Sequence, residues 1–146
     1  MSIPAPVLKA LYRRLGGAKT LSHPIRSEAD LACLTVEGLP LPAFQEIRAA
    51  GFSDSELAVI IPPRTLRHRI AKGEPLNAVE TERAIRLLGL QIQAEFALED
   101  AAKAWIWLRR PLAILDGKAP LEAAQSEHGA EVVREMLGNL TWGTAA

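Results

Sequence analysis

The 146-residue chain is poor in cysteine, in aromatic side chains and in net charge. Its single cysteine, Cys33, cannot form an internal disulfide, so the sequence predicts a reducing, cytoplasmic environment. Aromatic residues make up 5% of the chain, and alanine and leucine are plentiful, a mixture that favours helices over strands. The 17 basic and 17 acidic side chains cancel, so the total charge gives no sign of a strongly basic nucleic-acid binder.

Long apolar segments are missing as well. No stretch approaches the roughly 18 uninterrupted apolar residues of a membrane-spanning helix. The segment from Met1 to Pro6 lacks the basic start and apolar run of a signal peptide. No run alternates apolar and polar residues with period two, so no strand is predicted. We therefore expect an all-α protein that has no membrane partner.

The charged residues are distributed unevenly along the chain. Residues 1–50 carry six basic and four acidic side chains, and residues 51–90 carry six and five. Residues 91–146 carry five and eight, for a net charge of −3. This asymmetry is expected of a chain whose two ends contact different partners.

Apolar spacing and helix-stopping residues predict a series of short helices. Ser53 and Glu56 have the spacing of a capping box, and Asn77 with Glu80 begins the longest helix. The apolar face of that longest helix is expected to carry Ile85, Leu88, Ile92 and Phe96. The helices are predicted at residues 5–15, 28–37, 42–50, 53–61, 63–72, 77–97, 100–110, 111–116, 120–127 and 130–140.

Two of these short helices meet at Pro62-Pro63 and form a helix-turn-helix candidate. Leu66 and Ile70 lie four residues apart and are expected to face the core. Arginine and lysine neutralise phosphates, and arginine also reads guanine edges. The alternative is a solvated basic face on a structural helix, and spacing alone leaves the two equally supported. The candidate DNA-binding residues are Arg64, Thr65, Arg67, His68, Arg69 and Lys72.

No pattern in the chain points to catalysis or to a metal. The three histidines lie far apart and none has a partner at metal-ligand spacing. The carboxylates at 80–82 and 99–100 lie at helix starts, where the helix dipole accounts for them. Cys33 has no activating neighbour and is expected to be a small buried residue. We expect no catalytic residue, no metal and no cofactor, and a protein that works by binding.

The three tryptophans have different expected roles. Trp105 fits an apolar helix stripe and is expected in the core. Trp107 lies far around the same helix and is expected at a second contact, between helices or between chains. Trp142 follows the last predicted helix. It either folds back on its own domain or anchors in the pocket of a partner, since tryptophan dominates interface hot spots.

Several stretches between residues 64 and 143 carry a set of spaced motifs. The run Arg64-Thr65-Leu66 leading to Arg67 is followed by a long helix and then by Trp107-Leu108 with Pro111. Residues 115–121 carry a Leu-x-Gly-x-x-Pro-Leu pattern. The end of the chain carries Val133, Leu137, Leu140 and Gly143. Over about residues 40–146 these motifs resemble those of the Xre/MbcA/ParS antitoxins.

The resemblance implies an antitoxin of a type II toxin–antitoxin pair. An Xre-like helix-turn-helix region would bind the operator DNA of its own operon, and a homodimer is expected because such modules read paired half-sites. A C-terminal helical domain would bind a RES-domain toxin, which consumes NAD or transfers ADP-ribose from it. The predicted parts are an N-terminal helical extension at 1–40, the helix-turn-helix region at 41–90 and the toxin-binding domain at 91–146.

By the same resemblance, the C-terminal tail would block the active site of the toxin. The chain departs from the family at Asn139 and at His68, where arginine is common, and at Gln91 and Glu95 on the long helix. The main alternative is a stand-alone repressor whose C-terminal domain dimerises or senses a ligand. The candidate toxin-binding residues are Trp107, Asn139, Leu140, Trp142, Gly143, Thr144, Ala145 and Ala146.

Overall fold

The computed structural model describes residues 3–141, and of Thr141 it describes the backbone alone. Within this range the chain forms α-helices and two 3₁₀ turns, Gly17–Lys19 and Ala113–Leu115, and no β-strand. The all-α class expected from the sequence is thereby confirmed. The helices are α1 Ala5–Arg14, α2 Glu28–Glu37, α3 Leu41–Ala49, α4 Asp54–Ile60, α5 Pro63–Lys72, α6 Ala78–Leu98, α7 Ala101–Leu108, α8 Pro120–Ala123 and α9 Glu127–Thr141.

The chain divides into two compact units, residues 1–85 and residues 86–146, with the boundary inside α6. The sequence-based division at 40/41 and 90/91 stays a prediction. No helix of the described residues combines the length and the hydropathy needed to cross a membrane.

Capping side chains set the starts of several helices. The Ser53 hydroxyl accepts from the backbone N–H of Glu56 at 3.2 Å, and the Glu56 carboxylate accepts from the N–H of Ser53 at 2.8 Å. This is the predicted capping box. Asp100 caps α7 by accepting from the N–H of Lys103 at 2.8 Å. Gly73 ends α5 with a φ of 65°, a left-handed conformation that glycine adopts without strain.

Aliphatic side chains fill the core of the first unit. Burying each of them stabilises the fold by about 1.5–3 kcal/mol. Because they come from α1, α3, α4 and the segments flanking α5, the core fixes the helix-turn-helix elements from several sides. The largest fully buried side chains here are Leu11, Leu15, Leu39, Phe44, Ile47, Ile60, Ile61 and Leu76.

Cys33 and Phe96, both expected to be buried, are exposed. Cys33 is exposed because Leu31 and Leu34 form the buried side of α2, and Cys33 lies on the outward face between them. Phe96 is 46% exposed, although Ile85, Leu88 and Ile92 on the same predicted face are buried. A helix of 21 residues is about 30 Å long, and the buried run of α6 ends at Ala94, before Phe96.

We expect Gly129→Ala to destabilise the protein. A Cβ at position 129 would lie 1.8 Å from the backbone oxygen of Ala123 in α8, so α8 and α9 would have to separate. Such overpacking costs about 1–3 kcal/mol. Gly89→Ala is the matched control, because a Cβ at position 89 would meet nothing within 4 Å. This substitution should stabilise the helix by about 0.5–1 kcal/mol. Urea denaturation of both variants tests this, and equal midpoints would contradict it.

Candidate functional site

Helices α4 and α5 form a tight helical corner in the first unit. Only Ile61 and Pro62 separate them, and Ile61 adopts an extended conformation with φ −149° and ψ 126°. The N–H of Ile61 still closes the last turn of α4 on Leu57. The N–H of Leu66 closes the first turn of α5 on Pro62. This is the compact break that a helix-turn-helix requires.

The candidate DNA-binding side chains share the outward side of α5. Arg64, Arg67, His68 and Lys72 are exposed, and Thr65 is half-buried. The first turn of α5 has no acidic residue. Arg64 therefore adds positive charge to the positive end of the helix dipole, an arrangement that disfavours the helix slightly and attracts anions. Helix stability does not account for this arginine, whereas an anionic partner would.

Ile70 does not face the core as predicted. Leu66 is 6% exposed, but Ile70 is 49% exposed. The two line an open hollow of about 490 Å³, whose apolar floor includes Phe44 and Leu57. The hollow lies between α3, α4 and α5, and Ile70 lines it while keeping about half of its surface in water.

Arg69 is turned toward its own unit by a bidentate ion pair. Its Nε and Nη2 donate to the two carboxylate oxygens of Glu80 at 3.3 Å each. Glu80 is 6% exposed and also accepts from the backbone N–H of Asn77 at 2.8 Å. Asn77 in turn accepts from the N–H of Glu80 at 2.8 Å. The pair thus connects α5 to the capped start of α6, and Glu74 adds a weaker contact to Arg69 at 3.7 Å.

The described toxin-binding candidates lie on α7 and α9 of the second unit. Trp107 is half-buried on α7. Asn139 is exposed and Leu140 is half-buried in the last turns of α9. The other candidates, Trp142, Gly143, Thr144, Ala145 and Ala146, lie outside the described residues.

Trp105 is half-buried instead of fully buried in the core. Ala104 and Leu108 carry the fully buried face of α7. The Trp105 ring lies under the Arg109 guanidinium, with 4.2 Å between the guanidinium carbon and the ring centroid. This cation–π contact joins the last turn of α7 to its C-terminal cap.

A network of ion pairs fixes the start of α9 in the second unit. Arg86 of α6 donates to the backbone oxygens of Ala124 and Gln125, at 3.3 and 3.0 Å. Its Nε lies 3.3 Å from Glu127, and Glu127 also pairs with Arg134 at 2.9 Å. Arg86 keeps 11% of its side chain exposed. The network therefore holds the helix from which the C-terminal tail continues.

No cluster suited to a metal ion occurs in the described range. No group of three or more His, Cys, Asp or Glu residues between 3 and 141 has the geometry of a metal site. His23 lies 4.0 Å from Glu37, and both are largely exposed.

Sequence reasoning missed two residues that position the site. Glu80 is the helix cap that the sequence predicts. Its ion pair with Arg69 was missed, because it joins residues 11 apart in the chain and depends on how two helices pack. Arg86 carried a usable signal, because it is a cation between the apolar residues Ile85 and Leu87. Such a charge on a mostly buried helix needs a partner.

Breaking the Arg69–Glu80 pair should destabilise the protein by about 2–4 kcal/mol, because the remaining charge would stay buried without its partner. Glu80→Gln keeps the cap acceptor and removes the charge, and Arg69→Met removes the cation. In a double-mutant cycle measured by urea denaturation, we expect the double variant to lose less unfolding free energy than the two single variants lose in sum.

The control for this cycle is Glu74→Gln. Glu74 is 47% exposed in its side chain, so its loss should cost below about 1 kcal/mol. Two outcomes would contradict the structural role of the pair. One is that the losses of unfolding free energy are additive in the cycle, and the other is that Arg69→Met costs no more unfolding free energy than Glu74→Gln.

Comparison with known proteins assigns both parts of the chain. Residues 30–89 match the family model of the antitoxin Xre-like helix-turn-helix domain. Residues 93–143 match that of the antitoxin Xre/MbcA/ParS C-terminal toxin-binding domain. Together the two models cover most of the chain, including α5 and α9.

Two curated relatives carry antitoxin names. Antitoxin Xre of Pseudomonas putida is 36% identical over 53% of this chain, which spans about half (49%) of that relative's length. The Prs ADP-ribosylating antitoxin of a Sphingobium species is 29% identical over 98% of this chain and 90% of its own length. The chain belongs to the Xre/MbcA/ParS family of antitoxins, with an Xre-like helix-turn-helix domain followed by a C-terminal toxin-binding domain.

Proposed function

We propose that this antitoxin neutralises a RES-type toxin that consumes NAD or transfers ADP-ribose from it. The single observation that carries the proposal is the match of residues 93–143 to the toxin-binding domain of the family. The Sphingobium relative is named an ADP-ribosylating antitoxin, which is consistent with NAD chemistry in the pair. Both relatives are named antitoxins, which favours a cytoplasmic binding protein over an enzyme.

The proposed mechanism is occlusion of the toxin's active site. Helix α9 has 15 residues, so it is about 22 Å long, and it is anchored at its start by Arg86 and Arg134 through Glu127. An anchored helix presents its last turn, with Asn139 and Leu140, in a fixed direction. A fixed direction lowers the entropy cost of inserting a short segment into a cleft.

Removing residues 142–146 should abolish inhibition, because α9 stays whole while the blocking segment is lost. The measurement is NAD consumption by the product of the neighbouring gene, with full-length or shortened antitoxin at saturating concentration. We expect full-length antitoxin to suppress turnover and the shortened chain to leave it near that of free toxin. A second deletion, of residues 139–146, should give the same result.

Full inhibition by the shortened chain would contradict the occlusion mechanism. A neighbouring protein that neither binds the chain nor consumes NAD would contradict the RES assignment. The chain would then fit the alternative of a stand-alone repressor with a dimerising or ligand-sensing C-terminal domain.

We also propose that a homodimer of the chain represses its own operon. The exposed cations of α5 and the absence of acids in its first turn support a phosphate-facing helix. In helix-turn-helix proteins the N-terminal part of the second helix contacts base edges, which makes Arg64, Thr65, Arg67 and His68 the specificity candidates. Arg69 is already bonded to Glu80, so we assign it to positioning of α5 more than to DNA contact.

Replacing Arg64 and Arg67 with alanine should weaken operator binding and flatten its salt dependence. Each lost phosphate contact removes about 0.9 from the slope of log K against log salt. If Arg64 and Arg67 of both protomers contact phosphates, the slope would therefore fall in magnitude by up to about 3.6. The control is Lys9→Ala with Arg13→Ala, two exposed cations of α1 in the same unit. Equal affinities and slopes for both double variants would remove α5 from the interface.

A further inference from the structure

We propose that the hollow between α3, α4 and α5 receives the sugar–phosphate backbone of one DNA strand, and that Arg48 of α3 contacts the phosphates of that strand. The inference rests on the proposed DNA-binding function and extends it. The DNA-binding candidates predicted from the sequence all lie on α5, whereas Arg48 would be a phosphate contact on a different helix.

The hollow brings cationic side chains of two helices to one place. Arg48 from the last turn of α3 and Arg67 of α5 both line it. Gln45, one turn before Arg48 on α3, adds an amide group to the same lining. Among the described residues, the charged groups of the lining are these two arginines and Asp54, for a net charge of +1. This charge is complementary to a polyanion.

The protein itself does not neutralise the two arginines of the hollow. Arg48 and Arg67 are both exposed. Within residues 3–141 neither of them forms an ion pair, with Asp54 or with another carboxylate. Arg69 on the same helix as Arg67 differs, because the carboxylate of Glu80 holds it. The guanidinium groups at the hollow can therefore take an external anion as their partner.

The dimensions of DNA bring a strand against this side of α5. In a helix-turn-helix protein the second helix lies in the major groove and the first helix crosses the backbone. The groove is about 12 Å wide and a helix with its side chains is about 10–12 Å across, so the flank of the second helix reaches the strand that borders the groove. The flank of α5 with Pro63, Arg67 and Ile70 lines the hollow, and α4, the first helix, also lines it. The bordering strand would therefore pass over the hollow and reach Arg48.

The lining of the hollow suits a DNA strand better than a free anion. Its apolar floor includes Phe44 and Leu57, and its cations come from α3 and α5. A DNA strand alternates anionic phosphates with deoxyribose rings, whose carbon atoms can pack on an apolar floor. The hollow is open to solvent, so a continuous strand can cross it. Its occupant continues the proposed DNA interface, because Arg67 belongs to both.

The first test compares Arg48→Ala with Arg13→Ala in the full-length chain. Both arginines are exposed and lie in the last turn of a helix, so both variants lose the same favourable contact with a helix dipole. Each is titrated over a salt series with a duplex of the promoter region of its own operon. We expect Arg48→Ala to raise Kd at least about tenfold at low salt and to lower the magnitude of the salt slope by about 0.9 for each protomer. Arg13→Ala should change neither.

The sequence of the DNA gives a second readout, because a phosphate contact carries no sequence information. Arg48→Ala should weaken binding to the promoter duplex and to an unrelated duplex of the same length by similar factors. A loss of affinity for the promoter duplex alone would contradict the phosphate contact.

Asp54→Asn tests the hollow by a gain of affinity, which a misfolded variant would not produce. Removing the negative charge of Asp54 from the lining should lower the Kd for the promoter duplex at least about twofold, because that charge repels phosphates. Glu28→Gln is the matched control, since Glu28 is exposed and directly follows a serine N-cap, as Asp54 does. It should leave Kd unchanged. Equal Kd values for Asp54→Asn, Glu28→Gln and wild type would contradict a DNA strand at the hollow.

The readouts separate this inference from DNA binding by α5. If Arg64→Ala with Arg67→Ala weakens promoter binding while Arg48→Ala and Arg13→Ala give equal Kd values and salt slopes, the contact at the hollow is overturned and DNA binding by α5 stands. If the full-length wild-type chain does not bind the promoter duplex, both are overturned. If analytical ultracentrifugation shows that Arg48→Ala dissociates a dimer, a second copy of the chain covers the hollow, and the proposal is wrong.

Discussion

The buried carboxylate of Glu80 is the constraint on which the first unit most depends. It takes the guanidinium of Arg69 from α5 and the backbone N–H of Asn77 at the start of α6. A carboxylate that is 6% exposed requires such partners, because an unpaired buried charge is costly. This side chain therefore links α5 to the start of α6 and, together with the burial of Leu66, holds the opposite face of α5 outward. The outward face then carries Arg64, Arg67, His68 and Lys72, which is how a short basic segment becomes an ordered cationic surface.

The two parts of the chain differ in charge as well as in position. The cations of α5 lie in the first unit, whereas the toxin-binding domain is acidic outside residues 101–118. DNA repels an acidic surface, so the acidic part of that domain suits a partner other than DNA. Zero net charge for the whole chain is thus the sum of opposed local surfaces, which explains why composition alone concealed the DNA-binding candidate.

Much of the fold could be predicted because its signals are local. The Ser53–Glu56 capping box, the break at Pro62-Pro63 and the Asn77–Glu80 start all act within four residues. The errors were in tertiary packing. Ile70 has the right spacing for the core but lines an open hollow, and Phe96 lies beyond the buried run of α6. The Arg69–Glu80 pair depends on the packing of residues 11 apart in the chain, which helical periodicity does not encode.

The most direct test of this account is a hydrogen-exchange footprint of the full-length chain, taken once with operator DNA and once with the neighbouring toxin. The account predicts that DNA slows exchange in and around α5 and that toxin slows exchange in α9. It also predicts that neither partner protects the other's surface directly. Protection of α5 by the toxin, or of α9 by DNA, would contradict the claim that the chain binds its two partners through two chemically separate surfaces.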